Sequence, residues 1–367
     1  MMKLQNAAIL ALALLLSACG GGSGSGGGSS TNTATSGTGN SAGPDTQQAC
    51  TNKFGRTWTE VDAVKKNIPS FDRVIYGNGL FLGTGHKTAV SRDGENWNDV
   101  SSSLMPGQYL PIFAAGKFFM VGQAYALTTQ TVITQMVIVS SSDGIHWDNT
   151  ILADSTKPSA STVPIFEPYG FSYGNGRFVA VGSDGKIIWS ADGKNWNPAA
   201  NIADFKVYVF GWSAFVNGKF YASGSTDNTI YVSSDGNNWQ MQKIITDADT
   251  TRPIGLTGMQ YVNGQYIASD SAGSLMYSKD SITWKTILKG RHSDNVNGNA
   301  IVTGAGQLMV ADIASSFTND GDYILYSCDG MNWEKTKVPN GTFSYSIAIG
   351  DDAAVITTGP KHYFSKY

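Results

Sequence analysis

One seven-residue sentence is written six times in this chain: "SRDGENW" at Ser91, "SSDGIHW" at Ser141, "SADGKNW" at Ser190, "SSDGNNW" at Ser233, "SKDSITW" at Ser278 and "SCDGMNW" at Ser327. The closing tryptophans are Trp97, Trp147, Trp196, Trp239, Trp284 and Trp333, and they follow one another at 50, 49, 43, 45 and 49 residues. A period of about 40 to 50 residues restricts the fold to a propeller or a solenoid, because one such unit buries its apolar face only against its neighbours.

A second signal precedes each tryptophan: "YGNGLF" at Tyr76, "AAGKFF" at Ala114, "YGNGRF" at Tyr173, "FVNGKF" at Phe215, "YVNGQY" at Tyr261 and "TGAGQL" at Thr303. Asn-Gly or Ala-Gly between alternating apolar runs marks a two-residue hairpin turn, since glycine tolerates the positive φ required. Each unit therefore holds two hairpins, hence four strands. In the third unit the first strand is expected near Gly170 to Tyr173, the second at "RFVAVG", the third at "KIIWS", and the fourth from "NW". The repeated motif then sits on the turn between the third and fourth strands. There the Asp192 carboxylate can accept turn N–H groups, Gly193 can turn left-handed, and Trp196 can insert between neighbouring sheets. The high glycine count, 43 of 367 residues, with only 14% charged residues, suits such a turn-rich β protein.

The pattern S-x-D-G-x-x-W resembles the Asp-box of the bacterial neuraminidase repeat, found in sialidases and in non-enzymatic propellers that include the photosystem II assembly factor family. The resemblance implies that Asp93, Asp143, Asp192, Asp235, Asp280 and Asp329, with their tryptophans, are architectural. Fold is carried over, and activity is not. Two departures stand out: Gly follows Asp directly, and the fifth copy has Ser281 where glycine is expected. Beyond Trp333, "YSIAIGDDAAVITTGPKHYFSKY" reads as three more strands that reach Ser365 of an incomplete motif. The missing tail appears at the other end, where "FGRTWTEV" from Phe54 supplies a glycine and Trp58. The expected fold is all-β: a seven-bladed β-propeller of four-stranded blades over residues 50–367, its last blade closed by both termini, which leaves no open sheet edge at the joint.

The segment before it carries an address. Lys3 precedes an apolar run from Ala7 to Leu16, too short for a comfortable membrane span, and "LSAC" ends at Cys19. The tetrapeptide resembles the lipobox of bacterial lipoproteins. That implies a signal peptide over residues 1–18, lipid on Cys19, and, with Gly20 rather than aspartate next, an outer-membrane anchor. Either face of that membrane remains open. Residues 19–49 are dominated by glycine, serine and threonine and read as a tether with a reach of roughly 30 Å. Two cysteines remain, Cys50 and Cys328, and an exported protein favours their pairing over two free thiols. Such a bridge would clamp the closing blade to its neighbour.

Propellers bind partners at the mouth of the central channel, so the loops on that face matter most. Long loops are expected at about Gln123 to Gln135 and Asp312 to Asp322, with long connections before Tyr169 and before Arg252. Aligning the first strands on their turns places Asp72, Tyr109, Tyr169, Gly211, Thr257, Asn299 and Tyr345 at one position, with Arg73 and Trp212 one residue later. Tyr109, Tyr169, Trp212, Arg252, Arg291 and Tyr345 are the ligand-binding candidates, since aromatic rings stack on sugars or grip peptides. Interblade packing is the alternative for the aromatics.

A sialidase needs an arginine cluster for a carboxylate, a tyrosine nucleophile and an acid partner. Of six arginines only Arg73, Arg252 and Arg291 are free to reach the mouth, with Tyr345 and Glu167 as partners. This is an inventory and not a motif, and no catalytic residue is assigned. His86, His146, His292 and His362 show no ligand spacing, so no metal or cofactor is expected. "NDGD" from Asn319 to Asp322 reads as a solvated loop tip. A net charge of -3 gives no footprint for nucleic acid. The expected function is an anchored, non-catalytic binding or assembly scaffold for an envelope protein or glycan. The alternative is a carbohydrate-binding or glycan-active propeller. Oligomeric state is not legible.

Overall fold

In a computed structural model of the chain, the hairpin signals form the turns they predict. Asn78, Ala115, Asn175, Asn217, Asn263 and Ala305 have φ of 46–50°, and the glycine after each has φ of 71–79°. Two consecutive positive φ values make the tight turn whose twist matches that of the flanking strands. The structure describes residues 55–366, apart from 86, 102–106, 128–131, 162, 203–204, 206, 225–227, 248–254, 290–300, 313–322, 340–345 and 358–360. Cys19, Cys50, Arg252, Arg291 and Tyr345 lie outside the described residues, as do His86, His292, Asn299 and "NDGD".

The third blade shows the plan: Pro168–Gly174, Arg177–Gly182, Ile187–Ser190 and Asn197–Pro198 run antiparallel in sequence order. Blades one, two, four and six repeat it. In the seventh, Thr59–Val61 from the beginning of the domain pairs with His362–Lys366 from its end, next to Ala353–Thr357 and Ser346–Ile349. The split motif is real at this joint. Gly55 has φ of 83° and its N–H donates to Ser365 Oγ at 2.9 Å, as Gly193 N donates to Ser190 Oγ at 2.9 Å within an unbroken copy.

Among the described residues, seven buried apolar clusters join consecutive blades, and the blade-seven residues Ala348 and Val355 pack with Tyr76 and Phe81 of blade one. A row of sheets whose last packs on its first is a ring. The fold is a seven-bladed β-propeller.

Each motif tryptophan packs against the preceding blade. Trp196 lies with Val121 and Ile138 of blade two, Trp239 with Val179 of blade three, and Trp58 with Met309 of blade six. The motif glycine faces the same way: a Cβ on Gly236 would meet Val179 Cγ2 at 2.7 Å, and the backbone there has φ of 73°. Both space and conformation therefore select glycine. Ser281, at φ of 63°, is the exception.

Two features differ from the sequence expectation. Within the expected loop, residues 123–127 and 132–135 are paired strand rather than loop, because strands Lys117–Leu127 and Val132–Ser141 run on into it as a ribbon. Tyr125, Val132, Ile133 and Thr134 in these strands are residue types that favour extended backbone. Blade five has a fifth strand: Ile245–Thr246, from the connection out of blade four, pairs in parallel with Thr283–Leu288 and covers its edge.

Candidate functional site

The repeated motif is saturated by its own turn. Asp192 Oδ1 accepts N–H groups of Lys194 and Asn195 at 2.8 and 2.7 Å, and Oδ2 accepts Asn195 Nδ2 at 2.7 Å. Buried Ser190 Oγ donates to Asp192 Oδ1 at 3.0 Å while accepting Gly193 N. The backbone N–H of Asn195, then that of Lys194, then the Asn195 side chain hold the Asp192 carboxyl well below the usual carboxylate range. For Asp93 and Asp235, burial pushes upward, but the summed turn hydrogen bonds overcome it and bring both to about 2. Asp143, Asp280 and Asp329 make the same backbone contacts and are lowered too. His146 stands in for the asparagine, with Nδ1 on Asp143 Oδ2 at 2.7 Å, and is exposed, as its place in the motif implies. Trp97, Trp239, Trp284 and Trp333 donate Nε1 to the carbonyl three residues earlier at 2.9–3.1 Å. Carboxylates this fully engaged are structural.

The other face is different. The starts of first strands, the ends of second strands and the blade-to-blade connections meet there, opposite the motif turns. They enclose a cleft of about 190 Å³ across blades one, two and three. Asp72 and Arg73 come from blade one, Tyr109, Gln123 and Tyr125 from blade two, and Glu167 and Tyr169 from blade three.

Local backbone places these groups. A β-bulge between Pro168 and Gly170 takes Tyr169 out of the ladder with the second strand; Gly211 and Thr257 are bulged at the same position in blades four and five. Bulges re-aim a side chain at the end of a sheet. Glu167 is held by its neighbours: its N–H donates to Ser183 Oγ at 3.0 Å and its carbonyl accepts Ser183 N at 2.9 Å. A Cβ on Gly182 would strike that carbonyl at 2.0 Å, so the close approach depends on glycine. The Tyr169 hydroxyl donates to Glu167 Oε2 at 2.6 Å. That bond, followed by burial and the charges of Glu167 and Asp184, pushes the Tyr169 phenol up to about 12. Burial alone does the same for Tyr109, which is 7% exposed.

Arg73 is exposed and lines the cleft. Desolvation lowers its pKa, partly offset by neighbouring Asp72. Tyr125 is 41% exposed on the blade-two ribbon, its hydroxyl on Gln123 Oε1 at 2.9 Å. Tyr208, 89% exposed, stands on the connection into blade four, where its carbonyl accepts Gly185 N at 3.0 Å.

The structure thus brings together Tyr109 and Tyr169 of the candidate residues. Trp212 is half-buried and packs on the cluster between blades four and five with Leu256 and Met259, outside this cleft. Tyr125 and Gln123 fall within the loop expected on the mouth face, but the sequence singled out neither of them, because their strand register was not legible there. Among the described residues, no three histidine, cysteine or carboxylate groups gather as metal ligands. Cys328 is exposed and disulfide-bonded, and its partner is outside the described residues.

No protein-family model matches the chain, and no curated protein matches it. Solved structures do. A catalytically inactive virginiamycin B lyase from Staphylococcus aureus, with quinupristin, is 12% identical over 86% of this chain and 100% of that one, TM-score 0.57. YCF48 bound to D1 peptide is 16% identical over 86% and 96%, TM-score 0.55. YCF48 from Cyanidioschyzon merolae is 14% identical over 84% and 98%, TM-score 0.52. At these identities the likeness is one of fold.

Proposed function

We propose that this chain is a lipid-anchored envelope protein whose propeller serves as a binding or assembly scaffold, docking a partner at the mouth cleft. The observation that carries it is the contrast between the two faces. The motif carboxylates are consumed by their own turns, whereas Asp72 and Arg73 of blade one, two tyrosines of blade two, and Glu167 and Tyr169 of blade three converge on one concavity. Convergent polar groups with aromatic walls are the usual form of a recognition site. The likeness in fold to YCF48 bound to D1 peptide supports a protein partner.

The anchor part of the proposal rests on Lys3, the apolar run and Cys19. It predicts that Cys19→Ser leaves the protein unlipidated and releases it from membranes. Pairing of Cys50 with Cys328 belongs to the same exported setting. The docking part is tested by a photo-crosslinking residue at Tyr125, and separately at Lys194 on the motif face, in cells that make the protein. Adducts from Tyr125 alone support docking at the mouth, and adducts only from Lys194 would overturn it.

A second reading is favoured by the Tyr169–Glu167 bond, a phenol beside a carboxylate in a tyrosine-lined cleft: a glycan lies in the same place. Thermal shift with envelope glycans, peptidoglycan fragments and sialosides tests it. A saturable rise in melting temperature that is lost in Tyr169→Ala, followed by assay for sialoside turnover, would replace the protein partner with a sugar.

A further inference from the structure

We propose that the mouth cleft takes a cationic side chain, a lysine ammonium or an arginine guanidinium, presented by a protein partner. The inference deepens the scaffold proposal and rests on it.

Three features of the cleft lead there. The first is charge. Asp72 and Glu167 line the cleft against a single cationic lining residue, Arg73, and Asp184 stands close enough to act on the Tyr169 phenol. Several other carboxylates of the described residues pair with a cation: Glu334 with Arg56, Asp99 with Lys87, and Glu95 with Lys66 and Lys366. Asp72, Glu167 and Asp184 are in none of the salt bridges found among the described residues. Asp72 also offsets Arg73 directly, so the uncompensated charge falls on the blade-three side.

The second feature is the walls. Tyr109, Tyr125 and Tyr169 all line the cleft, and the negative face of a phenol ring attracts an ammonium or guanidinium, more strongly once water is displaced. The Tyr169 hydroxyl hydrogen is committed to Glu167, so its oxygen adds negative character to the same spot. The third feature is size. About 190 Å³ is below the roughly 300 to 1,000 Å³ of sites that enclose a whole small molecule, but it suits one long side chain whose backbone stays on the rim. Tyr208, exposed on the neighbouring connection, is placed to meet the rest of such a partner.

The test uses the full-length protein and three labelled, terminally blocked peptides built on one glycine–serine–tyrosine frame, bearing lysines, glutamines or glutamates at the same positions. Fluorescence anisotropy reads affinity at low and at physiological salt. The expected result is tightest binding of the lysine peptide, weakening with salt, and weakened about tenfold or more by Glu167→Gln and by Asp72→Asn. Asp148→Asn, an equal charge change on the motif face, should leave it unaltered. Tighter binding of the glutamate peptide, lost in Arg73→Gln, overturns the cationic inference and keeps the docking site. Equal binding of all three peptides, indifferent to every cleft variant, overturns both. Absence of binding by any peptide overturns the inference, and the crosslinking comparison then decides the docking proposal separately.

Discussion

The hydroxyl of Tyr169 donates a 2.6 Å hydrogen bond to Oε2 of Glu167, two residues before it across a β-bulge. A neutral phenol bonded to a carboxylate resists ionisation, since the phenolate would lose the bond and face like charge. Tyr169 is accordingly raised to about 12. We expect Glu167→Gln to move its titration back toward 10, followed by phenolate absorbance against a Tyr169→Phe reference. An unchanged titration would mean that the contact is not made in solution.

Ser190 is predicted to matter more than its size suggests. It is fully buried, accepts N–H groups of Asp192 and Gly193 and donates to Asp192 Oδ1. Ser190→Ala leaves two turn N–H groups without that acceptor and should lower stability by about 1–3 kcal/mol. Urea unfolding with an unchanged m-value is the check.

His362 gives the protein an acid sensitivity. It is buried, its ring is stacked 4.0 Å from that of Phe71, and its Nε2 faces the Pro69 carbonyl at 3.1 Å. Burial lowers its pKa from 6.5 to about 4, partly opposed by the Pro69 contact. Between those values the unfolded chain takes up a proton that the folded chain refuses. Stability present above pH 6.5 is therefore lost as pH falls toward 4, by about 3 kcal/mol at most. His362→Phe should flatten that part of the pH–stability curve, whatever it does to stability at neutral pH. A curve as steep as that of the parent would assign the acid sensitivity elsewhere.

Asp270 has the opposite sign. It pairs with Leu256 at the register where Gly182 pairs with Pro168 and Gly224 with Phe210, so blade five buries a carboxylate where two other blades have glycine. Oδ1 accepts the N–H groups of Ala272 and Ser274, while Oδ2 has no hydrogen-bond partner among the described residues. Burial raises its pKa despite those bonds. For an acid raised in the folded state, stability is fullest below the unfolded value near 3.8 and declines as pH rises past it. Asp270→Asn keeps the Oδ1 acceptor and removes the charge. It should raise stability at pH 7 by about 1 kcal/mol. The gain should vanish below pH 4, and a loss at pH 7 would contradict the assignment.

Much of the architecture is written in local chemistry. Asn-Gly turns, a glycine forced to positive φ, and an aspartate that satisfies its own turn are decided within seven residues, which is why six copies and a split seventh are readable from the chain. The joint at Ser365 and Gly55 was legible for the same reason: each half keeps the residues that its corner needs. Cleft positions Tyr109 and Tyr169 were visible because aligning equal turns aligns equal strand positions.

The rest depended on what lies across space. Tyr125 joins the cleft because the blade-two ribbon extends past its neighbours, and strand length depends on pairing between two segments rather than on either alone. Trp212 packs between blades, and the sequence could not choose between that and the mouth, since an aromatic ring suits both. His362 and Asp270 look like ordinary polar residues until packing removes their water. Repeat and turn are short-range properties, fixed by φ preferences and hydrogen bonds a few residues apart. The meeting of Asp72, Tyr109 and Glu167, and the protonation states around them, follow from the packing of three consecutive blades. Burial and electric fields sum over chain segments distant in sequence, so only the tertiary structure decided them.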